Sequence, residues 1–167
     1  MDRSQLQAVQ APLKERYAED PGTALVTLHA AGQLGEEEVA CTVATGRALV
    51  EAGLHPATGG TGLLACSGDM LLQALVACAG VTLRAVATAF ELEVRGTVHA
   101  EGDLDFRGTL GVAKDEHVPV GFRAIRLGFE LEHALTADEL ARLIRLTERY
   151  CVVYQTLAGG VPVDVSF

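Results

Sequence analysis

The chain predicts an α+β fold in which a curved antiparallel sheet surrounds a mostly apolar helix. Three observations predict it. Apolar residues run almost unbroken from Met70 to Leu83, two long stretches on the carboxy-terminal side alternate with period two, and Thr136-Ala-Asp-Glu139 opens a strongly patterned helix. At 167 residues, 49% hydrophobic and 21% charged, the sequence has the size and balance of a single domain over 1–167, with residues 1–22 as an amino-terminal helical extension.

That extension carries Leu6, Val9, Leu13 and Tyr17 at helical spacing, with Pro12 placed to end or kink it. Asp20-Pro21-Gly22 is a turn, after which Ala24 to Ala30 and Glu38 to Ala44 read as a strand hairpin around a loop containing Gly32-Gln-Leu-Gly35. Gly53 to Gly62 reads as a connecting loop. Its glycines do not make a phosphate cradle, because neither a following Lys-Ser/Thr nor a strand-Gly-x-Gly-x-x-Gly-helix unit is present.

Ser67 supplies an oxygen suited to an N-cap and Asp69 a carboxylate in the first turn, so a helix is expected from there to about Ala87. Apolar residues on nearly every side predict that other elements wrap it. Glu91 to Ala100 alternates as a half-buried strand, with Leu92, Val94 and Val98 inward and Glu91, Glu93, Arg95, Thr97 and His99 outward. A second strand has Ile125, Leu127, Phe129 and Leu131 inward against Arg126, Glu130 and Glu132 outward. The capping-box helix runs to about Tyr150 with Leu140, Leu143, Ile144 and Tyr150 as its buried stripe, and Cys151 follows directly.

Composition excludes several functions. A net charge of −9 with only two lysines, Lys14 and Lys114, opposes nucleic-acid binding, which needs clustered cations. The polar start lacks a signal-peptide pattern, and the apolar stretch from Met70 to Leu83 is shorter than the roughly 20 residues of a membrane span. No membrane partner and a cytoplasmic location are therefore expected. In that reducing compartment the four cysteines, Cys41, Cys66, Cys78 and Cys151, form neither a disulfide framework nor a zinc motif. No metal or bound cofactor is predicted, since the five histidines do not converge with other ligands and a Cys-His dyad has no supporting motif.

The thiols divide by context. Cys41 shares a strand face with Val39 and Val43, as a packed small residue does. Cys66 precedes a helix, where exposed N–H groups lower a thiol pKa, although a small loop residue accounts for it as well. Cys78, inside the apolar helix, either fills space or awaits a substrate that enters an apolar pocket.

The segment Gly59-Gly-Thr-Gly-Leu-Leu-Ala-Cys-Ser-Gly-Asp-Met-Leu-Leu-Gln-Ala-Leu-Val-Ala-Cys-Ala-Gly-Val-Thr-Leu83 resembles the central-helix signature of the OsmC/Ohr family, a Gly-rich loop followed by Leu-Leu-x-Ala-Leu-x-x-Cys. Glu148-Arg-Tyr-Cys-Val-Val-Tyr-Gln-Thr-Leu157 resembles that family's second motif, Cys-Pro-Val before a short helix and a Val-rich strand, here Val161-Pro-Val-Asp-Val165. Val152 replaces the proline.

The resemblance implies an intertwined homodimer whose sheets wrap the central helices, with thiol sites near the interface. It also implies a two-cysteine peroxidase acting on organic hydroperoxides in oxidative stress defence. Cys78 would take the peroxide oxygen, Cys151 would form the disulfide, and an external dithiol of the lipoyl type would reduce it. The alternative is a catalytically weak dimer of the same family that binds an apolar small molecule or senses redox state.

Hydroperoxide-resistance members use a hairpin arginine and a glutamate ten residues before the first cysteine. Here those places hold Gln33 and Leu34, and Gly68. Asp69 and Arg47 are the candidate supporting residues in their stead, and the carboxylate at Asp69 resembles the broader OsmC-like branch, which often keeps one there. A strand-end position facing solvent also accounts for Arg47, and Arg84 points to a different helix face from Cys78.

Overall fold

A computed structural model describes residues 3–34, 41–43, 52–113 and 117–166. Among the described residues, five helices and four strands follow in the order α1 (Arg3–Glu19), β1 (Leu25–Leu34), β2 (Cys41–Val43), α2 (Ser67–Ala89), β3 (Val94–Asp105), α3 (Phe106–Leu110), β4 (Ala124–His133), α4 (Ala137–Tyr150) and α5 (Val152–Gly159). The strands form one sheet in the order β2-β1-β3-β4, a mixed helix and sheet architecture of the α+β kind. The chain divides into two compact units built from interleaved segments.

The first unit comprises 1–29, 45–72 and 101–126. α1 runs unbroken through Pro12 and packs against the 3-10 turns Pro21–Ala24 and Pro56–Thr58 and against α3. Tyr17 and Leu13 supply its inner stripe, closing over Ala24, Phe106 and Leu110. The Tyr17 hydroxyl, buried with its ring, donates to the Ala57 carbonyl at 2.6 Å, so the polar tip is satisfied where the ring is packed. His55 stacks on Phe106 with ring centroids 4.8 Å apart, and its Nδ1 accepts the Ala57 N–H at 3.0 Å. Gly60 allows the close pass of this loop, because a Cβ there would run into the Leu54 carbonyl.

Charged residues fasten the third segment of this unit. Asp105, 1% exposed, caps α3 by accepting the Arg107 N–H and pairs with the Arg107 guanidinium at 2.7 Å. Arg126 bridges Glu101 and Asp103 at 3.1 and 2.6 Å on the exposed side.

The second unit comprises 30–44, 73–100 and 127–166 of the described chain. The hairpin pairs Gly32 with Val43, Gln33 with Thr42 and Leu34 with Cys41, antiparallel. Gly32 to Leu34 therefore belong to strand rather than to the loop expected there, because the antiparallel ladder carries β1 four residues past Ala30. Glu38 to Ala40 and Arg47 lie outside the described residues.

α2 starts at its predicted cap, one residue earlier than expected. The Cys66 carbonyl accepts the Met70 N–H at 3.1 Å, so Cys66 holds the capping place and Ser67 is the first helical residue. At 23 residues α2 is long and apolar enough to cross a membrane by length and composition. Leu72, Leu75, Val76, Ala79, Leu83, Val86 and Ala87 lie buried along one side. The expectation that the helix is wrapped all round fails for the single chain. Leu71 and Val81 are each 38% exposed, and Ala74 and Ala85 are exposed with them, forming an apolar ladder at helical spacing.

β3 begins at Val94, not Glu91. The preceding residues turn off α2 with Glu91 at φ 55, where the Leu92 N–H returns to the Ala87 carbonyl at 2.8 Å and the Glu91 N–H to Thr88 at 3.1 Å. Val94, Val98 and Ala100 are buried as the alternation requires. On β4, Ile125, Leu127, Phe129 and Leu131 are half-buried while Arg126, Glu130 and Glu132 are exposed. The strand expected at Val161–Val165 does not form in the single chain. Gly160 to Ser166 have no regular structure, and Val163 and Val165 are 81% and 82% exposed, since no hydrogen-bonded neighbour lies alongside them.

Candidate active site

Two thiols meet where α2 and the α4–α5 junction come together in the second unit. The junction is built from local signals. Thr136 and Glu139 complete a reciprocal capping box that starts α4, with the Glu139 carboxylate accepting from the Thr136 N–H at 2.8 Å. Leu143 and Thr147 are its fully buried positions, and the Thr147 hydroxyl is satisfied by the Leu143 carbonyl at 2.9 Å. Tyr150, placed on the stripe by its spacing, is 58% exposed. The helix ends there, and the chain leaves the helical path one residue later.

Cys151 is that residue. At φ −75 and ψ 107 it is extended, and it serves both as the C-cap of α4 and as the N-cap of α5. Its N–H donates to Thr147 at 2.9 Å, its carbonyl accepts from Gln155 at 2.9 Å, and its Sγ accepts the Tyr154 N–H at 3.4 Å. The Gln155 side chain ties the corner by donating to the Glu148 carbonyl at 2.8 Å. Cys151 has no exposed surface.

Cys78 stands on α2, half-buried, in the same ladder as Leu71, Ala74, Val81 and Ala85. Its sulfur lies near enough to the Cys151 and Thr82 side chains and to the backbone of Val152 and Val153 for each of them to lower its pKa. Cys66, Cys78 and Cys151 are all free thiols.

The two environments drive the thiols apart. Burial pushes Cys78 up, but the Val153 amide, then Cys151, the Val152 amide and Thr82, bring it below the ordinary thiol value. Burial is also the largest influence on Cys151, and the neighbouring Cys78 adds to it, so that Cys151 is pushed up to about 11. Cys78 is the sulfur that ionises first, and Cys151 is the one that stays protonated beside it.

Of the residues singled out in the sequence, the structure brings Cys78 and Cys151 together. Asp69 lies in the first turn of α2, nine residues before Cys78 or about 14 Å along a helix axis, and its charge acts on His55. Arg84 lies against the start of β3, donating to the Val94 carbonyl at 3.4 Å. Sequence reasoning missed Thr82 and the α5 amides. Thr82 was findable, since i and i+4 share a helix face. The amides carry no side-chain signature at all.

The fold places a helix-borne cysteine beside a second cysteine at a helix junction. The family model for OsmC-like proteins matches residues 60–166, which include both thiols, and the chain belongs to the OsmC-like protein family. No curated protein matches the chain significantly. The family suggests a peroxidase or stress-related role.

Proposed function

We propose that the protein is a thiol peroxidase that reduces organic hydroperoxides through Cys78 and Cys151. The observation that carries this reading is the nearness of the two thiols, each of which shifts the other's ionisation, with Cys78 held below and Cys151 well above the ordinary thiol pKa. That difference assigns the roles. The Cys78 thiolate attacks the distal peroxide oxygen, the O–O bond breaks, and the leaving alkoxide takes a proton to depart as alcohol. Cys78 is then a sulfenic acid. The Cys151 sulfur attacks it, forming a disulfide and releasing water, with the Cys151 proton going to the departing hydroxide. An external dithiol, of the lipoyl type in this reading, reduces the disulfide and is itself oxidised to a disulfide.

Substrate class follows from the surroundings. Cys78 opens on the apolar ladder of α2, which suits an alkyl or aryl hydroperoxide better than hydrogen peroxide. The same exposed ladder, the half-buried inner face of β4 and the exposed Val161–Val165 segment support an intertwined homodimer in which a second copy covers what one chain leaves open. A reducing, cytoplasmic setting suits free thiols that cycle.

The test treats reduced protein with one equivalent of cumene hydroperoxide, beside hydrogen peroxide, followed by intact-mass measurement and peptide mapping. The expected product is lighter by two hydrogen atoms and carries a Cys78–Cys151 link. Unchanged thiols would overturn the enzymatic reading in favour of a dimer that binds an apolar small molecule or senses redox state.

A further inference from the structure

A helical turn is ordinarily capped by a Ser, Thr, Asp or Asn oxygen, whose acceptor persists through the neutral and mildly acid range. The 3-10 turn Pro56–Thr58 is capped instead by a ring nitrogen: His55, with φ −62 and ψ 146, accepts the Ala57 N–H on Nδ1 at 3.0 Å. Such a cap serves only while Nδ1 keeps its lone pair. An imidazolium carries a hydrogen on both nitrogens and accepts nothing.

The docking of α1 depends on this turn. Ala57 is held from two sides, its N–H by His55 and its carbonyl by the Tyr17 hydroxyl at 2.6 Å. The Thr58 N–H and hydroxyl and the Gly60 N–H all return to the His55 carbonyl, at 2.8, 2.9 and 3.1 Å, so the turn winds tightly on this one residue. Tyr17 is fully buried, and its cluster includes Phe106 of α3. The His55 ring lies on that same Phe106, centroids 4.8 Å apart and planes 15° from parallel.

We propose that His55 is a pH-operated latch on α1: neutral, it caps the Pro56–Thr58 turn and keeps Ala57 in place for Tyr17; protonated on Nδ1, it lets go of the Ala57 N–H, and α1 loosens. The charged and titratable groups around it come from three helices. α2 supplies Asp69, α1 supplies Tyr17 and Arg16, whose guanidinium donates to the Tyr17 hydroxyl at 3.3 Å, and α3 supplies Arg107, paired with Asp105 at 2.7 Å. Burial lowers the His55 pKa, and the Asp69 charge opposes it without reversing it. With the folded value below the unfolded value of about 6.5, the cap stabilises fully above about pH 6.5 and is lost as pH falls through the lower folded value. The latch is closed at neutral pH and opens in acid. It uses neither thiol, so it stands apart from the peroxidase reading.

The experiment measures hydrogen exchange in peptides covering α1 of the full-length protein at about pH 7.5 and about pH 5, each rate divided by the intrinsic rate at that pH. At the lower pH, α1 is expected to exchange about fivefold faster, the equivalent of one lost N-cap. His55→Asn, whose amide oxygen accepts at either pH, is expected to stay slow at both, and His55→Ala to be fast at both. Equal protection at the two pH values in the unaltered protein overturns the proposal, as does an acid step that survives in His55→Asn. Should the variants not fold, an NMR titration of the unaltered protein decides: the His55 ring proton and the Ala57 N–H should move with one midpoint, below about pH 6.5. An Ala57 signal that does not follow the His55 titration overturns it.

Discussion

Replacing Cys151 separates its structural task from its chemical one. The sulfur is fully buried and accepts the Tyr154 N–H that begins α5, so it is at once a core atom and an N-cap. In Cys151→Ala the cap is lost, at about 1 kcal/mol, and the missing sulfur leaves a small void worth roughly another 1 kcal/mol. A loss of about 2 kcal/mol in urea unfolding is expected. Cys151→Ser keeps an acceptor of the type most favoured at an N-cap and is expected to stay within about 1 kcal/mol of the unaltered protein. The chemistry then reads cleanly in the serine variant. One equivalent of organic hydroperoxide should leave Cys151→Ser one oxygen atom heavier at Cys78, trappable by dimedone, where the unaltered protein becomes two hydrogen atoms lighter. Equal destabilisation by serine and alanine would refute the cap, and a serine variant that still loses two hydrogens would refute the pairing with Cys78.

Further outcomes follow from other contacts. Thr82→Val removes the hydroxyl from Cys78 at nearly constant shape; with the thiol half-exposed to water, about 1 kcal/mol is at stake, so alkylation at neutral pH should slow about fivefold, while Thr82→Ser stays near the unaltered rate. The Arg107 guanidinium, with the Arg107 amide, holds the Asp105 carboxyl below the usual carboxylate range. A depressed folded-state value means that Asp105 stabilises fully above about pH 4, its unfolded value, and that this stability is lost as pH falls through the lower folded value. Acid titrations of unfolding should therefore show a limb below about pH 4 that Asp105→Asn flattens, together with a loss of about 2 kcal/mol at neutral pH.

How much of this could be read from the sequence depends on where each signal resides. The capping box at Thr136 and Glu139 was legible because both partners are side chains at a fixed spacing, and it forms as read. The alternation at Val94, Val98 and Ala100 was legible for the same reason, since a one-sided sheet writes its burial into every second residue. The start of β3 was not, because Glu91 and Glu93 continue the alternation while the backbone is still turning off α2 at Glu91. Tyr150 fitted the helical stripe, yet the helix ends as it is reached, and Thr147 takes the buried place. In the site, both thiols were visible as residues. The influence of the Val152 and Val153 backbone on Cys78 was hidden, because a backbone amide is present at every position but proline and only the fold says which ones come near a sulfur.

The placement of Cys78 in the exposed ladder of α2 links assembly to substrate choice. A thiol flanked along the helix by Ala74, Val81 and Ala85 is approached across an apolar surface, and whatever covers that surface forms the roof over the thiol. If a second copy is the cover, a charge in the ladder does two things. Val81→Asp places a carboxylate where the cover would have to desolvate it, at a cost of several kcal/mol, so the dimer should give way to monomer in sedimentation or light scattering. With the roof gone, Cys78 faces water. Its preference for cumene hydroperoxide over hydrogen peroxide should then fall, because apolar contact with the organic group disappears while attack on the O–O bond needs no cover. A Val81→Asp protein that becomes monomeric yet keeps its full preference would mean that the apolar recognition lies within one chain. A variant that stays dimeric would place the interface elsewhere, and the ladder would then need another occupant.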